Sequence, residues 1–502
     1  MLLTSSWLID ILLIIFTFIF VLYKYSSRNY DYWKKKGVYY LKPKPFIGNL
    51  YDVVTFKITM GIWQQKVYNS TDEPFVGMFA FHKPVLMIRS PELIKYVMVK
   101  NFDNFVNRSI LAPDHSQVFA NILFLSKSEN WKMLRSKVTP AFTSSKLKAM
   151  CPIIKKIGLE LDQYIKTNQG ELEAKKLATK YSTEVISRTA FGLNGNCFDG
   201  DGSRIQKVGE SMFEFSWKTA ISQSAYFFMH GLVKFFRLEF VDRNAIDYLR
   251  TVFWQTIERR EKENIKGNDL IDIIVELRKN AEFCNTVKFV GDKVVAQPVM
   301  YFAAGVETTS QTISYALYEL CIHQEIQNKL REEILDYLKE NQEITYDNLK
   351  ELKYLEMCIQ ETLRKYPPLP FLDRMCNADF TIPGTDIVID KGTPVYIPLM
   401  GLHYDKKYFP EPQKFNPERF ADKSLYNQSG FCFLPFGEGP RMCLGERFAM
   451  MNVKIALINI LSQFIVEPIP ATPVPVRFTQ KSFTLNSDVG LPMRFVEYVQ
   501  QN

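Results

Sequence analysis

The stretch Phe436-Gly437-Glu438-Gly439-Pro440-Arg441-Met442-Cys443-Leu444-Gly445 places one thiol, Cys443, in a glycine-rich turn. An apolar-periodic segment, Phe448 to Phe464, follows it and reads as a helix. Gly439 permits a left-handed φ or a close backbone approach in that turn. A thiolate just before a helix gains from free N–H groups and the positive end of the dipole, so the sulfur can stay deprotonated and ligate iron. Gly445, lacking Cβ, lets the helix lie close to a flat macrocycle. Arg441 is placed to bind a carboxylate of such a ring by charge-assisted hydrogen bonds, and Phe436 screens the sulfur from water. A buried free cysteine beside a turn is the plainer reading, but it asks for none of these residue types at these spacings.

The 502 residues suffice for one large enzyme or several domains. A formal charge of +8 is modest, and no long basic block exists beyond Lys34 to Lys36, so nucleic acid is not implied. Eight cysteines (Cys151, Cys197, Cys284, Cys321, Cys358, Cys376, Cys432 and Cys443) contain no C-x-x-C pair. Their spread fits a reducing compartment and argues against a zinc site or a disulfide framework.

From Met1 to Tyr23 the only charge is Asp10, and the run from Ile11 to Tyr23 is rich in Ile, Leu and Phe. The segment is long enough to span a bilayer, and the basic residues after it, Lys24 to Lys44, leave the C-terminal bulk in the cytosol. No basic region precedes the run and no small-residue cleavage site follows it, which separates it from a cleaved signal peptide. Pro43, Pro45, Gly48 and Asn49 then read as a stiff spacer. The expected division is an anchor over residues 1–24, a basic and proline-rich hinge over 25–50, and a catalytic domain over 51–502.

Within that domain, Phe75–Phe81 and Val85–Ile88 read as a hairpin around His82-Lys83-Pro84, and Ser90-Pro91-Glu92 opens a short helix. Trp131 and Arg135 lie one helical turn apart, so an indole N–H and a guanidinium can point the same way; a partly buried aromatic and a surface cation are the plainer reading. Lys127, Lys132, Lys137, Lys146 and Lys148 give this region a positive face, either simply solvated or a docking surface for an acidic flavoprotein. Between Phe213 and Phe240 aromatics crowd, among them Phe215, Trp217, Tyr226, Phe227, Phe228, Phe235 and Phe236. From Val299 to Leu330 a long helical pattern carries Ala304-Gly305-Val306-Glu307-Thr308-Thr309. Gly305 costs roughly 1 kcal/mol in a helix interior, so it suggests a reason beyond folding. On its own a Gly beside Thr is weak evidence, and an ordinary helix glycine is the plainer reading. The sharper one is a widened turn that admits O2 beside the iron, with Thr308 as proton donor and Glu307 as relay. Pro298 is tolerable in a first turn and kinking if the helix begins earlier. Leu352 to Tyr366 reads as a helix ended by Pro367-Pro368, with Glu361 and Arg364 on one face.

The cysteine stretch resembles the haem-binding loop of the cytochrome P-450 superfamily. The Ala304 to Thr309 hexapeptide resembles that superfamily's oxygen-activation motif, and Glu361-x-x-Arg364 and Pro417-Glu418-Arg419-Phe420 resemble its paired structural motifs. Glu129 to Arg135 with Thr139 to Thr143 is similar to the C-helix region of insect microsomal members, most like those of family six. No internal repeat, dinucleotide-binding G-x-G-x-x-G or Ser/His/Asp arrangement competes.

The resemblance implies a predominantly α fold with small β-sheets (α+β) and an N-terminal transmembrane helix, anchored in the endoplasmic reticulum membrane with the catalytic domain on the cytosolic face. It implies haem b on Cys443, with Arg441, Trp131, Arg135 and Arg374 on its propionates. Phe436, Gly439 and Gly445 shape the loop, while Glu361, Arg364 and Arg419 form a structural triad. Gly305, Glu307 and Thr308 are the implied catalytic set. The implied activity is a haem-thiolate monooxygenase that inserts one oxygen atom of O2 into lipophilic substrates: xenobiotics such as insecticides or plant toxins, or endogenous hormones and lipids. Lacking any flavin or nicotinamide motif, the chain would take electrons from a separate NADPH-cytochrome P-450 reductase, with cytochrome b5 as a second donor. A haem-thiolate binding protein and a reductase-independent isomerase are the alternatives.

Overall fold

The computed structural model describes residues 7–168, 170–200, 202–212, 216–279, 289–422 and 430–499. Phe213, Phe215 and Cys284, singled out above, lie outside them. The architecture is helical with small sheets, as expected.

The N-terminal helix, Trp7–Ser27, is long and apolar enough to cross a membrane, and almost all of its side chains are exposed. The chain after it is not a free spacer. Trp33 is fully buried, and its indole Nε1 donates to Met78 O at 3.0 Å. Asn49 accepts the Phe79 N–H at 2.7 Å, and Tyr40 and Gly48 bridge to Gly77 and Ala80. The expected hinge is therefore docked along a strand, because its aromatic residues have apolar surface to bury there.

That strand, β1 (Phe75–Ala80), pairs antiparallel with β2 (Lys83–Ile88). The loop is only Phe81-His82, with Phe81 at φ 56, so Lys83 and Pro84 belong to the strand and not to the turn. A short strand β3 (Gly170–Glu173) comes next in the chain, followed much later by β4 (Leu372–Met375), β5 (Phe380–Thr381), β6 (Val388–Ile389) and β7 (Pro394–Ile397). The first sheet runs β1-β2-β7-β4, with β2 parallel to β7 in the register Leu86 to Val395. The last strands, β8 (Phe464–Glu467) and β9 (Pro492–Glu497), join β3 in the order β3-β9-β8, and β5 pairs with β6.

The core is built around the long helix Asp292–Ile322, buried on nearly every side. It packs on Ala174–Phe191 and on Glu446–Gln463, the helix that follows the cysteine loop. Gly291 begins it at φ 58, earlier than the sequence pattern suggests, so Pro298 falls in its interior. At the other end His323, at φ −122 and ψ 78, breaks the pattern read as continuous to Leu330 and separates off a second helix, Gln324–Glu340. No widened turn occurs at Gly305: Asp292–Ile322 is α-helical throughout, and the Thr308 hydroxyl donates to Ala304 O at 2.7 Å. Packing gives Gly305 its reason instead. A Cβ there would stand 2.9 Å from Ile186 Cδ1.

Candidate active site

The cysteine loop is held from three directions. Gly437 and Gly439 both have φ 72, and a Cβ on Gly439 would lie 2.3 Å from Met98 O, so only glycine fits there. The Cys443 N–H donates to Phe436 O at 2.8 Å, closing the loop. Gly445 is the residue before the helix Glu446–Gln463. A Cβ on it would make only ordinary contact with Phe142, so the protein itself leaves that position open, and the demand expected for glycine falls to a bound group.

Cys443 is exposed, while the other described free cysteines are buried. Its exposure is inward: desolvation by surrounding protein pushes its thiol up from the ordinary value, the Gly445 N–H pulls it down, Glu446 raises it and Arg135 lowers it. A thiol accessible to a small molecule yet desolvated faces an interior space. Tyr301, on the long helix, lies near enough to feel both Arg135 and Cys443, and its buried hydroxyl has no partner among the described residues. Ala304, one turn on, is exposed on a helix otherwise buried.

Beside the thiol stands a cluster of cations. Arg441 lies over the Trp131 ring, 4.5 Å from its centroid, and donates to Phe124 O at 3.1 Å and Ser126 O at 2.5 Å. Arg374 is fully buried and gives one N–H to Asp373 O at 2.8 Å. Arg108, which the sequence reading missed, lies over Phe124 at 3.8 Å and is paired to Asp373 at 3.1 Å. Burial and then the repulsion of Arg108 push Arg374 down to about 9, and burial with Arg108 and Arg374 pushes Arg441 down to about 8. Burial likewise lowers Arg135. The Nε atoms of Arg108, Arg374 and Arg441 are buried with no partner among the described residues.

Haem fits this donor set. Arg108, Arg374, Arg441 and the nearby Arg135 are set against the one carboxylate of Asp373, so the cluster carries surplus positive charge of the kind propionates would neutralise, and orphaned N–H donors stand ready to bind them. Arg135 links the cluster to the thiol, since it acts on both Arg441 and Cys443.

The structure also brings Glu361, Arg364 and Arg419 together, away from the thiol. Glu361 and Arg364 are fully buried, and the pair is bidentate at 2.7 and 2.9 Å; Arg419 Nε reaches Glu361 at 3.1 Å. Arg364 also donates to His403 O at 2.9 Å and to Lys414 O at 3.4 Å, tying the helix Lys353–Lys365 to the short helix Leu399–His403 and to the loop before Pro417.

Glu307 is not joined to Thr308. It is buried, paired with Lys175 Nζ at 2.8 Å, and accepts from Thr484 and Asn486 at 3.3 and 3.2 Å. The C-terminal turn thus reaches back to the long helix. Phe483 in that turn stacks on Phe227 at 4.9 Å and packs against Phe371 at 5.4 Å. The same turn and Phe227 line a cleft with Val53, Phe56 and Met60.

The basic face formed by the helix Ser128–Val138 and the start of the helix Ser144–Thr167 is less free than its sequence suggests. Lys132 pairs with Asp103 at 3.3 Å and Glu129 at 3.6 Å, and Lys148 with Asp347 at 2.7 Å.

A family model described as Cytochrome P450 matches residues 40–491. The protein named Cytochrome P450 6k1 of Blattella germanica is 38% identical over 518 residues, covering 99% of each chain. Cytochrome P450 6j1 of the same insect is 37% identical, covering 98% of this chain and 99% of its own. Probable cytochrome P450 6g2 of Drosophila melanogaster is 35% identical, covering 97% and 98%.

Proposed function

Since the chain belongs to the cytochrome P450 family and is a haem monooxygenase, we propose that it oxidises lipophilic small molecules at the cytosolic face of the endoplasmic reticulum, with electrons from NADPH through a separate reductase. The observation that carries this reading is the desolvated, inward-facing thiol of Cys443 beside a buried guanidinium cluster with surplus positive charge and orphaned N–H donors. Bound haem supplies O2 activation, and thiolate donation to its iron favours O–O cleavage.

The chain's own residues do the rest. Cys443 would hold the iron, the Gly445 N–H and the helix N-terminus favouring its thiolate against the desolvation that pushes the free thiol up. Arg441, Arg374, Arg135, Trp131 and the newly found Arg108 bind the propionates. Phe436 screens the sulfur, and Gly439 and Gly445 give the loop its path. Thr308 positions a proton beside the exposed face of Ala304, and Gly305 keeps the helix in place against Ile186. Glu307 relays protons only when its bond to Lys175 opens. Glu361, Arg364 and Arg419 are a structural triad.

Substrates enter from the membrane side. Trp217, Ile221, Leu232, Phe235 and Phe236 are exposed on the two helices Trp217–Phe228 and His230–Phe236, a patch whose Trp217 meets Phe56 at the cleft rim. With residues 1–24 as anchor and the cleft beside this patch, a substrate dissolved in lipid reaches the aromatic wall of Phe227, Phe371 and Phe483 without crossing water. Xenobiotics such as insecticides and plant toxins are the favoured class, with endogenous hormones and lipids the second. The reductase, and cytochrome b5 as second donor, dock on the basic face; because Lys132 and Lys148 are neutralised, Lys127 and Lys137 carry more of that surface.

The deciding measurement is the absorption spectrum of dithionite-reduced, CO-treated protein, wild type beside Cys443→Ala. A strongly red-shifted Soret band lost in the variant is expected. A band at the position of histidine-ligated haem would overturn thiolate ligation, and a haem-loaded protein that never couples NADPH use to product with reductase would overturn the monooxygenase reading.

A further inference from the structure

Asp373 is the carboxylate set among the arginines. It is almost completely buried on β4, where Oδ1 takes Arg108 Nη1 at 3.1 Å and Oδ2 takes both the Ser109 N–H at 2.5 Å and the Ser109 hydroxyl at 2.8 Å. Its main-chain carbonyl takes Arg374 Nη1. It is the carboxylate acting on Arg374 and on Arg441 as well as on Arg108. One residue thus fixes where Arg108 stands, touches Arg374, and decides how many positive charges the cluster leaves over.

We propose that Asp373, itself fixed by Ser109, is a positioning residue that sets the reduction potential of the bound haem, by cancelling one of three buried positive charges beside it and holding Arg108 in place by a direct ion pair. This rests on the reading above that the arginines bind the haem propionates. A fixed negative charge in a low-dielectric interior is weakly screened and disfavours adding an electron nearby. Its loss makes the iron easier to reduce; loss of Arg108 makes it harder. A purely structural ion pair predicts no such opposition, since removing either partner only loosens the same loop.

The test is spectroelectrochemical titration of the holoenzyme, with the rate of haem transfer to an excess of haem-scavenging apoprotein as second readout. Asp373→Asn keeps the size and an acceptor for Ser109 while deleting the charge; its midpoint potential is expected to move positive. Arg108→Gln is expected to move it negative, the double variant to lie near wild type, and Asp373→Glu to stay with wild type. Shifts of one sign in both single variants, or none, overturn the proposal. Where Asp373→Asn fails to load haem, Arg108→Gln and the double variant decide: a double variant that loads haem at wild-type potential supports charge setting, and one displaced as far as Arg108→Gln overturns it. Failure of the underlying reading looks different. Arg374→Gln and Arg441→Gln would then release haem no faster than wild type, whereas fast release from both with unmoved potentials in the Asp373 variants sinks this inference alone.

Discussion

Glu307 binds Lys175 at 2.8 Å and is gripped by the C-terminal turn, while its neighbour Thr308 turns its hydroxyl back to Ala304. A proton relay at Glu307 therefore has to leave an ion pair. Lys175→Met strands a buried carboxylate and is expected to cost about 3–5 kcal/mol in denaturant unfolding. Adding Glu307→Gln should recover most of that. If Glu307 relays protons, the double variant is stable but slow, with an enlarged solvent isotope effect; a stable double variant with full turnover would show that Glu307 is structural.

Thr308→Ala removes a hydroxyl satisfied by its own helix, so stability should change by no more than about 1 kcal/mol. Its effect belongs to coupling. NADPH and O2 consumption should continue while product falls and hydrogen peroxide rises, and Thr308→Ser should restore coupling. Unchanged product yield per NADPH in Thr308→Ala would move the proton donor elsewhere.

Gly305→Ala pits helix propensity against packing. Alanine gains about 1 kcal/mol in a helix interior, but its Cβ would stand 2.9 and 3.1 Å from Ile186 Cδ1 and Cγ1, and overpacking costs about 1–3 kcal/mol. The expected net is a lower melting temperature. Ile186→Val, which removes the nearer atom, should make the double variant more stable than Gly305→Ala alone. No rescue would mean that the glycine serves the backbone and not the contact.

Asp162 lies buried in the helix Ser144–Thr167, its Oδ1 without a partner among the described residues, and burial, only partly offset by Lys166, pushes its carboxyl up to about 7. The native state thus binds this proton more tightly than the unfolded chain, whose value is near 3.8. Its contribution is full below about pH 4 and is lost as pH rises towards 7. Asp162→Asn should be more stable than wild type at pH 8, by an amount on the order of 4 kcal/mol, and nearly equal to it at pH 4. Parallel denaturation curves across that range would refute the assignment.

What the sequence made legible was local. The turn that carries Cys443 and the Glu361/Arg364 pair are contained within a few residues, so their spacing marked them, and the resemblance to the P-450 motifs supplied their roles; the contact of Gly439 with Met98 was not legible. Arg108 and Asp373 were invisible because they meet across 265 positions of chain, with no periodic rule linking them. Gly305 was noticed but misread: its partner Ile186 comes from another helix, and a backbone reason was supplied where a side chain was responsible. Pro298 and His323 show the same limit. Periodicity found the long helix, while its ends were set by the backbone angles of Gly291 and His323, which hydrophobic pattern does not record.

Trp33, sealed over Gly77 so tightly that a Cβ there would come within 2.5 Å of its ring, constrains how far the chain can be shortened to remove the apolar helix Trp7–Ser27. Such trimming has to stop short of Tyr30. A cut beyond Lys36 takes the indole with it, strips β1 of its cover and forfeits on the order of 3–5 kcal/mol, the scale of a buried tryptophan lost from a core. Material shortened that far would aggregate for want of Trp33, and the missing apolar helix would be wrongly blamed.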